Sequence, residues 1–212
     1  MLAVIRFRIG GNLRYLSHAE TMRVFQRACV RAGMKVAYSQ GFNPHLRMSL
    51  VLPRSVGVES DDEILCLWLE QGQEQVDGEL LKSELPQGIE IVSAQISRAN
   101  SVPEPVLARY VIKVKCVDES IKGRSEKLLA SDKIVLERRS GEGSKVKMVD
   151  VRPFLESIGA ESREVVVDCK ISPAGTIRVD EILDLLKLTV GDLAGSVRRT
   201  SVQWQSSPAG GF

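Results

Sequence analysis

Within the first thirty or so residues the apolar side chains change from every second position to every third or fourth. That change confines the chain to folds in which a strand runs into a helix over one shared core. Leu2 to Ile9 alternates, with Ile5, Phe7 and Ile9 on one face and Val4, Arg6 and Arg8 on the other, as a half-buried strand does. Gly10-Gly11-Asn12 ends it. Ser17 then reads as a helix N-cap, and Glu20 three residues on completes a capping box. Met22, Phe25, Cys29 and Ala32 recur at helical spacing and mark the buried face, with Gly33 as a natural C′ residue.

Carried along the chain, the same reading gives strands at Arg47 to Leu52 and Glu63 to Leu69, a helix at Val76 to Leu85, and a strand at Ile89 to Ile96. The order β-α-β-β-α-β is the ferredoxin-like split pattern. The Pro/Asn/Ser stretch Arg98 to Pro105 reads as a linker. Beyond it the pattern recurs. Strand Leu107 to Cys116, helix Ile121 to Ala130 and strand Ile134 to Glu137 precede a hairpin turn at Ser140-Gly141-Glu142-Gly143. Strand Val146 to Val149, a short helix Val151 to Ser157 and strand Glu164 to Ile171 follow, then helix Val179 to Lys187 and strand Val197 to Trp204. The expectation is an α+β protein of two ferredoxin-like βαββαβ domains in tandem, their sheets antiparallel with helices on one face. The domains run over 1–98 and 106–205, followed by a loose tail at 206–212.

Apolar content of 43% suits a chain that buries a core. No stretch reaches the 18 apolar residues of a membrane span, and Arg6 and Arg8 interrupt any signal-peptide h-region. A cytoplasmic protein with no membrane partner is expected. Cys29, Cys66, Cys116 and Cys169 are far apart among apolar neighbours and form no CxxC array, so they read as reduced core residues. Zinc or iron–sulfur ligation by this chain is not expected, nor any other metal site.

The net charge of +2 conceals an asymmetry. Residues 1–54 hold nine basic side chains, Arg6, Arg8, Arg14, Arg23, Arg27, Arg31, Lys35, Arg47 and Arg54, against the single acid Glu20. Residues 55–104 hold two basic and eleven acidic side chains. Eight of the nine early cations are arginine, the side chain suited to forked contacts with phosphate. The plainer alternative is a solvated face balancing the acidic segment. The acids Glu59, Asp61, Asp62 and Glu63 read most simply as a solvated loop.

Three features of the basic segment carry chemistry. Gly10, Gly11, Ser17 and His18 form a candidate anion site before a helix N-terminus, which Arg14 would join; a turn plus a capped helix is the structural alternative. Arg23, Arg27 and Arg31, spaced i, i+4, i+8, stack along one helix edge, where like charges repel and a phosphate backbone relieves the repulsion. The loop Tyr38 to His45 offers Tyr38 and Phe42 for base stacking, with Asn43 and Arg47 beside them; alternatively Phe42 plugs the core. His18 and His45, the only two histidines, are candidates for the acid–base pair of metal-independent RNA cleavage.

Arg14-Tyr15-Leu16-Ser17-His18, Met22-Arg23-Val24-Phe25-Gln26-Arg27-Ala28, Arg31-Ala32-Gly33 and Tyr38-Ser39-Gln40-Gly41-Phe42-Asn43-Pro44-His45 together resemble the opening of the radical-SAM-linked proteins. These are a bacterial family with a domain of unknown function (DUF2344). Gly175-Thr176-Ile177-Arg178 followed by Asp180-Glu181 resembles the family's C-terminal motif. His18 is followed by Ala19-Glu20 where the family usually has Leu-Asp, and Val179 stands where proline is usual. The resemblance implies a radical SAM protein as partner, with the iron–sulfur cluster and S-adenosylmethionine carried by that partner and no cofactor on this chain. The leading expectation is an RNA-binding accessory protein in tRNA or rRNA modification, rather than an enzyme. The alternatives are a module that docks the radical SAM enzyme without touching RNA, and an endoribonuclease using His18 and His45.

Overall fold

In a computed structural model, residues 1–72, 75–97, 101–140 and 145–205 are described. The chain divides into two compact units, Met1–Pro105 together with the segment from Ser201, and Val106–Thr200.

In the first unit β1 (Leu2–Ile9) is the alternating strand, with Ala3, Ile5, Phe7 and Ile9 buried on one face. A 3₁₀ turn at Gly11–Tyr15 leads to α1 (His18–Arg31). The helix begins where the sequence says it should: the Ser17 hydroxyl accepts from the Glu20 amide while the Glu20 carboxylate accepts from the Ser17 amide. β2 (Met48–Leu50), β3 (Glu59–Trp68), α2 (Gly78–Ser83) and β4 (Ile89–Ser97) follow. The strand order is β4-β1-β3, with β2 also paired to β3, and the pairings β1–β3, β1–β4 and β2–β3 are antiparallel. Phe25, Ala28 and Cys29 of α1 and Leu81 of α2 pack on the Ala3, Ile5, Phe7, Leu65 and Leu67 face. Leu2, Val4, Ile64 and Cys66 on the opposite face are covered by Val51, Trp68, Val102 and Trp204.

The acidic run is not a loop. Glu59 to Glu63 opens β3, and Glu59, Asp62 and Glu63 are buried. Asp62 accepts from Arg6 Nε and Nη2 at 2.7 and 2.8 Å, from the Val202 amide at 2.9 Å and from Trp204 Nε1 at 3.2 Å. Four donors make its burial tolerable.

The second unit comprises β5 (Glu104–Lys113) from residue 106 on, α3 (Glu119–Ala130), the hairpin β6 (Val135–Ser140) and β7 (Lys145–Asp150), then β8 (Leu155–Glu161), β9 (Glu164–Lys170) and α4 (Val179–Leu185). β10 (Arg198–Gln205) is the last of the described strands; its residues 198–200 belong to this unit and 201–205 to the first. The order here is β10-β5-β9-β8, while β6 and β7 pair with each other. Tyr110, Ile112, Val114, Val165, Val167 and Cys169 are buried on one sheet face, as are Ile121 of α3 and Val179 and Ile182 of α4. Arg109 and Asp168 repeat the forked pair of Arg6 and Asp62, again at 2.7 and 2.8 Å.

Several expectations are corrected. The short helix at Val151 to Ser157 is a 3₁₀ turn at Arg152–Phe154 running into β8. Arg152 donates to the carbonyls of Leu129, Ser131 and Leu155, so Pro153 sits in a pinned turn rather than in a continuing helix. β5 starts at Glu104, inside the expected linker. Cys29, Cys66 and Cys169 are buried, and burial pushes their thiols up to about 12, but Cys116 is exposed. Residues 98–100 of the linker, 141–143 of the turn, and the tail 206–212 lie outside the described residues. The fold is α+β with a mostly antiparallel sheet. Among the described residues no helix is long and apolar enough to cross a membrane.

Candidate nucleic-acid interface

Most of the early cations are already engaged, and the acidic segment engages them. Arg6 pairs with Asp62, Arg8 with Glu90 at 3.4 Å, Arg14 with Glu59 at 3.7 Å, and Arg31 with Glu84 at 2.7 Å. Arg54 donates to the carbonyls of Arg14, Leu16 and Val58, tying the 3₁₀ turn down. The side chains of Arg23, Arg27 and Arg47 are exposed and make no hydrogen bond or ion pair among the described residues. Arg47 lies over the Trp68 ring, its guanidinium carbon 5.4 Å from the centroid, within reach of the ring's negative face.

The expected anion site at the start of α1 is occupied from within. The Gly10 amide donates to Gly88 O at 2.9 Å and the Gly11 amide to Glu59 Oε1 at 3.1 Å. Ser17 is committed to its capping box, and its amide and hydroxyl hold the Glu20 carboxyl below the usual carboxylate range. Arg14 bends back to Gly11 O and the Tyr15 hydroxyl, and lies over the Tyr15 ring. The Gly10 and Gly11 amides and the Ser17 amide and hydroxyl are thus all engaged within the chain. His18 is exposed at the first turn.

The remaining candidates gather at the other end of α1. The backbone enters and leaves the 38–46 loop as a narrow ladder: Tyr38 bridges Leu46, and the Ser39 amide donates to His45 O at 2.7 Å. The ladder holds residues 40–44 out in solvent, where Phe42 is fully exposed and Tyr38 is 54% exposed. Phe42 therefore does not plug the core. The His45 Nδ1 sits 3.0 Å from Ser39 Oγ and 3.3 Å from Asn43 O, which fixes the ring. Between this loop and α1 lies an open groove of about 370 Å³ lined by Gln26, Arg27, Val30, Arg31, His45 and Leu46. Val30 is 61% exposed on its rim, an apolar side chain with no core to join.

His18 and His45 are not brought together. His45 faces residues 26–31 of the helix and His18 is its first residue. At 1.5 Å per residue that separates them by about 12 Å or more. The Arg row is also broken, since Arg31 spends its fork on Glu84 and only Arg23 and Arg27 stay available. Gln26, Val30 and Trp68 were not singled out in the sequence. Gln26 and Val30 share the i, i+4 edge beside Arg23 and Arg27, a signal the sequence did contain. Trp68 reaches Arg47 through the β2–β3 ladder, which the sequence does not show.

Against this geometry a family model described as an uncharacterized protein conserved in bacteria (DUF2344) matches residues 3–181. The chain belongs to that family. The DUF2344 match runs through most of the first unit and into the second as far as residue 181, including the groove and the Gly175-Thr176-Ile177-Arg178 segment. No curated protein matches this DUF2344 chain. A solved structure described as a Cbf5-Nop10-Gar1 complex is similar at 12% identity with a TM-score of 0.46, over 94% of this chain and 48% of that one. The chain spans about half the length of that relative, and nothing about activity follows from so distant a likeness.

Proposed function

We propose that this DUF2344 chain is an RNA-binding accessory protein, and that it serves a radical SAM enzyme in tRNA or rRNA modification, the partner supplying the iron–sulfur cluster and S-adenosylmethionine. The observation that carries the RNA reading is a fully exposed Phe42 in the loop whose His45 and Leu46 line a groove together with the unengaged Arg27. An exposed aromatic beside cations is how single strands are held, by stacking plus phosphate contact. Phe42 or Tyr38 stacks a base. Arg23, Arg27 and Arg47 neutralise phosphate, and Asn43, Gln26 and His45 offer polar atoms to a base edge. The radical SAM partnership rests on the family resemblance. The strand orders β4-β1-β3-β2 and β10-β5-β9-β8 favour reading each unit as a ferredoxin-like βαββαβ domain, the second with the β6–β7 hairpin inserted.

The test is binding of a single-stranded RNA pool by the purified chain over a salt series, beside Arg23→Glu/Arg27→Glu and Phe42→Ala variants. Each phosphate neutralised contributes about 0.7 to the log–log salt slope for a single strand. The double variant should flatten that slope by about 1.4, and Phe42→Ala should weaken binding roughly tenfold with the slope unchanged. Binding indifferent to both variants sinks the reading and favours a protein-docking module. Nothing in the geometry favours the endoribonuclease reading, since His18 opens α1 and His45 sits in the 38–46 loop beside residues 26–31 of the helix.

A further inference from the structure

The second unit leaves one face of its sheet bare. Tyr110, Ile112, Val165 and Val167 are buried on the helix side. On the reverse side Arg109, Lys113 and Glu164 are exposed, and Val111 and Val166 are half-buried. Two hollows of about 720 and 540 Å³ lie along this reverse face and share Glu164. One is lined by Gly159, Glu161, Val166 and Arg163 of the β8–β9 turn, the other by Val111, Lys113, Arg198 and Thr200. The first unit differs, because its reverse face is covered by Val51, Trp68, Val102 and Trp204.

The bare face carries no Phe, Tyr or Trp among the described residues, so it offers a nucleobase nothing to stack on. Most of its charges are sorted by strand. Across the order β10-β5-β9-β8, Arg198, Arg109 and Lys113 lie on the first two strands, and Glu164, Asp168 and Glu161 on the last two; the exception is Lys170, at the far end of β9 opposite Leu107, which is paired with Glu156 of β8. The register sorts them row by row: Arg109 opposite Asp168, Val111 opposite Val166, Lys113 opposite Glu164. Arg109 and Asp168 are forked together, whereas Lys113 and Glu164 make no ion pair among the described residues.

From this pattern we infer that the bare sheet face of the second unit binds a second copy of the chain, face to face. A two-fold axis parallel to the strands, between β5 and β9, exchanges the basic and acidic halves without moving any row. It lays Lys113 over the other copy's Glu164, Val111 over its Val166, and Arg198 toward its Glu161. A surface complementary to itself in this way is what an isologous dimer requires, and aligned sheets are a common way for two sheets to pack. An unrelated basic or acidic partner would leave half of the charged groups facing like charge. Four strands about 4.8 Å apart and some five residues long cover on the order of 300 Å². A stable dimer buries about 800 Å² on each side, so this contact is transient, with a dissociation constant on the order of 100 µM or weaker.

The experiment is sedimentation velocity of the full chain from about 10 µM to 1 mM, with Lys113→Glu and Glu164→Lys variants whose thermal melts confirm that they fold. Wild type should shift toward dimer across that range. Each variant alone should lose at least about tenfold in association, because the symmetry doubles every like-charge contact. Mixed one to one, the two variants should associate again, since both exchanged contacts then pair opposite charges. A wild type that stays monomeric at 1 mM overturns the inference. So do single variants that associate like wild type, or a mixture that fails to recover.

Discussion

Asp62 shows what one side chain does when it is placed beyond the reach of local pattern. Burial disfavours its charged form, but the Arg6 fork, the Val202 amide and the Trp204 indole outweigh that, so its carboxyl sits below the ordinary value of 3.8. A carboxyl lowered on folding stabilises the fold above its unfolded value, and the contribution is lost as pH falls through the folded one. Asp62→Asn should therefore cost about 3 kcal/mol in urea denaturation at neutral pH, because it strands a half-exposed Arg6 and weakens the acceptor of the buried Val202 amide and the half-buried Trp204 indole. The gap between variant and wild type should close as pH drops below about 4, and a gap constant down to pH 2 would count against this account. None of this was legible in Glu59-Ser60-Asp61-Asp62-Glu63, which reads as a solvated run. Its partners stand 56, 140 and 142 positions away. Arg23 and Arg27 were legible because their helix face is a local property. That Arg31 is spent on Glu84 was not, since only the packing of α2 beside α1 reveals it.

At the scale of elements, the sequence succeeds where local chemistry decides and fails where pairing decides. α1 is bounded by a capping box and a glycine, both local, and its limits were readable. Ser17→Ala removes the acceptor for the Glu20 amide and should lower stability by about 1 kcal/mol, seen as an earlier urea midpoint with an unchanged slope. β8 is the opposite case. Leu155 to Ser157 reads as the end of a helix, and it is strand because β9 pairs with it and on to Glu161, with one irregularity between Leu155 and Ser157. Two glycines separate conformational cost from crowding. Gly33 has φ +62 with nothing within 4 Å of an added Cβ, while Gly88 has φ +104 and a Cβ there would lie 2.9 Å from Gly10 O. Gly33→Ala should cost about 1 kcal/mol, and Gly88→Ala about 1–3 kcal/mol, since backbone must also shift. The reverse ranking in matched thermal melts would contradict the placement of the Gly10–Gly88 contact.

Over the whole molecule, the order of the two units along the chain is not the order in which they are completed. The first unit takes its last strand segment, 201–205, from the far end of the sequence, after the second unit has been traced. That segment supplies the Val202 amide and Trp204 indole to Asp62, and Trp204 to the cluster of Leu2, Val4, Ile64 and Cys66. A chain ending at Thr200 should accordingly be weakened in its first hundred residues, not merely at its new end. Hydrogen exchange should quicken in β1 and β3 more than in β9, whose partners β5 and β8 are intact. The shortened chain should also make Asp62→Asn cheaper than it is in the full one. Two of the four donors are then gone already, and changes that share partners couple by roughly 0.5–3 kcal/mol. Additive losses would mean that Asp62 serves Arg6 alone and that the final strand stabilises the first unit only through its apolar side chains. Coupled losses would establish the carboxylate as the group through which the end of the chain holds its beginning.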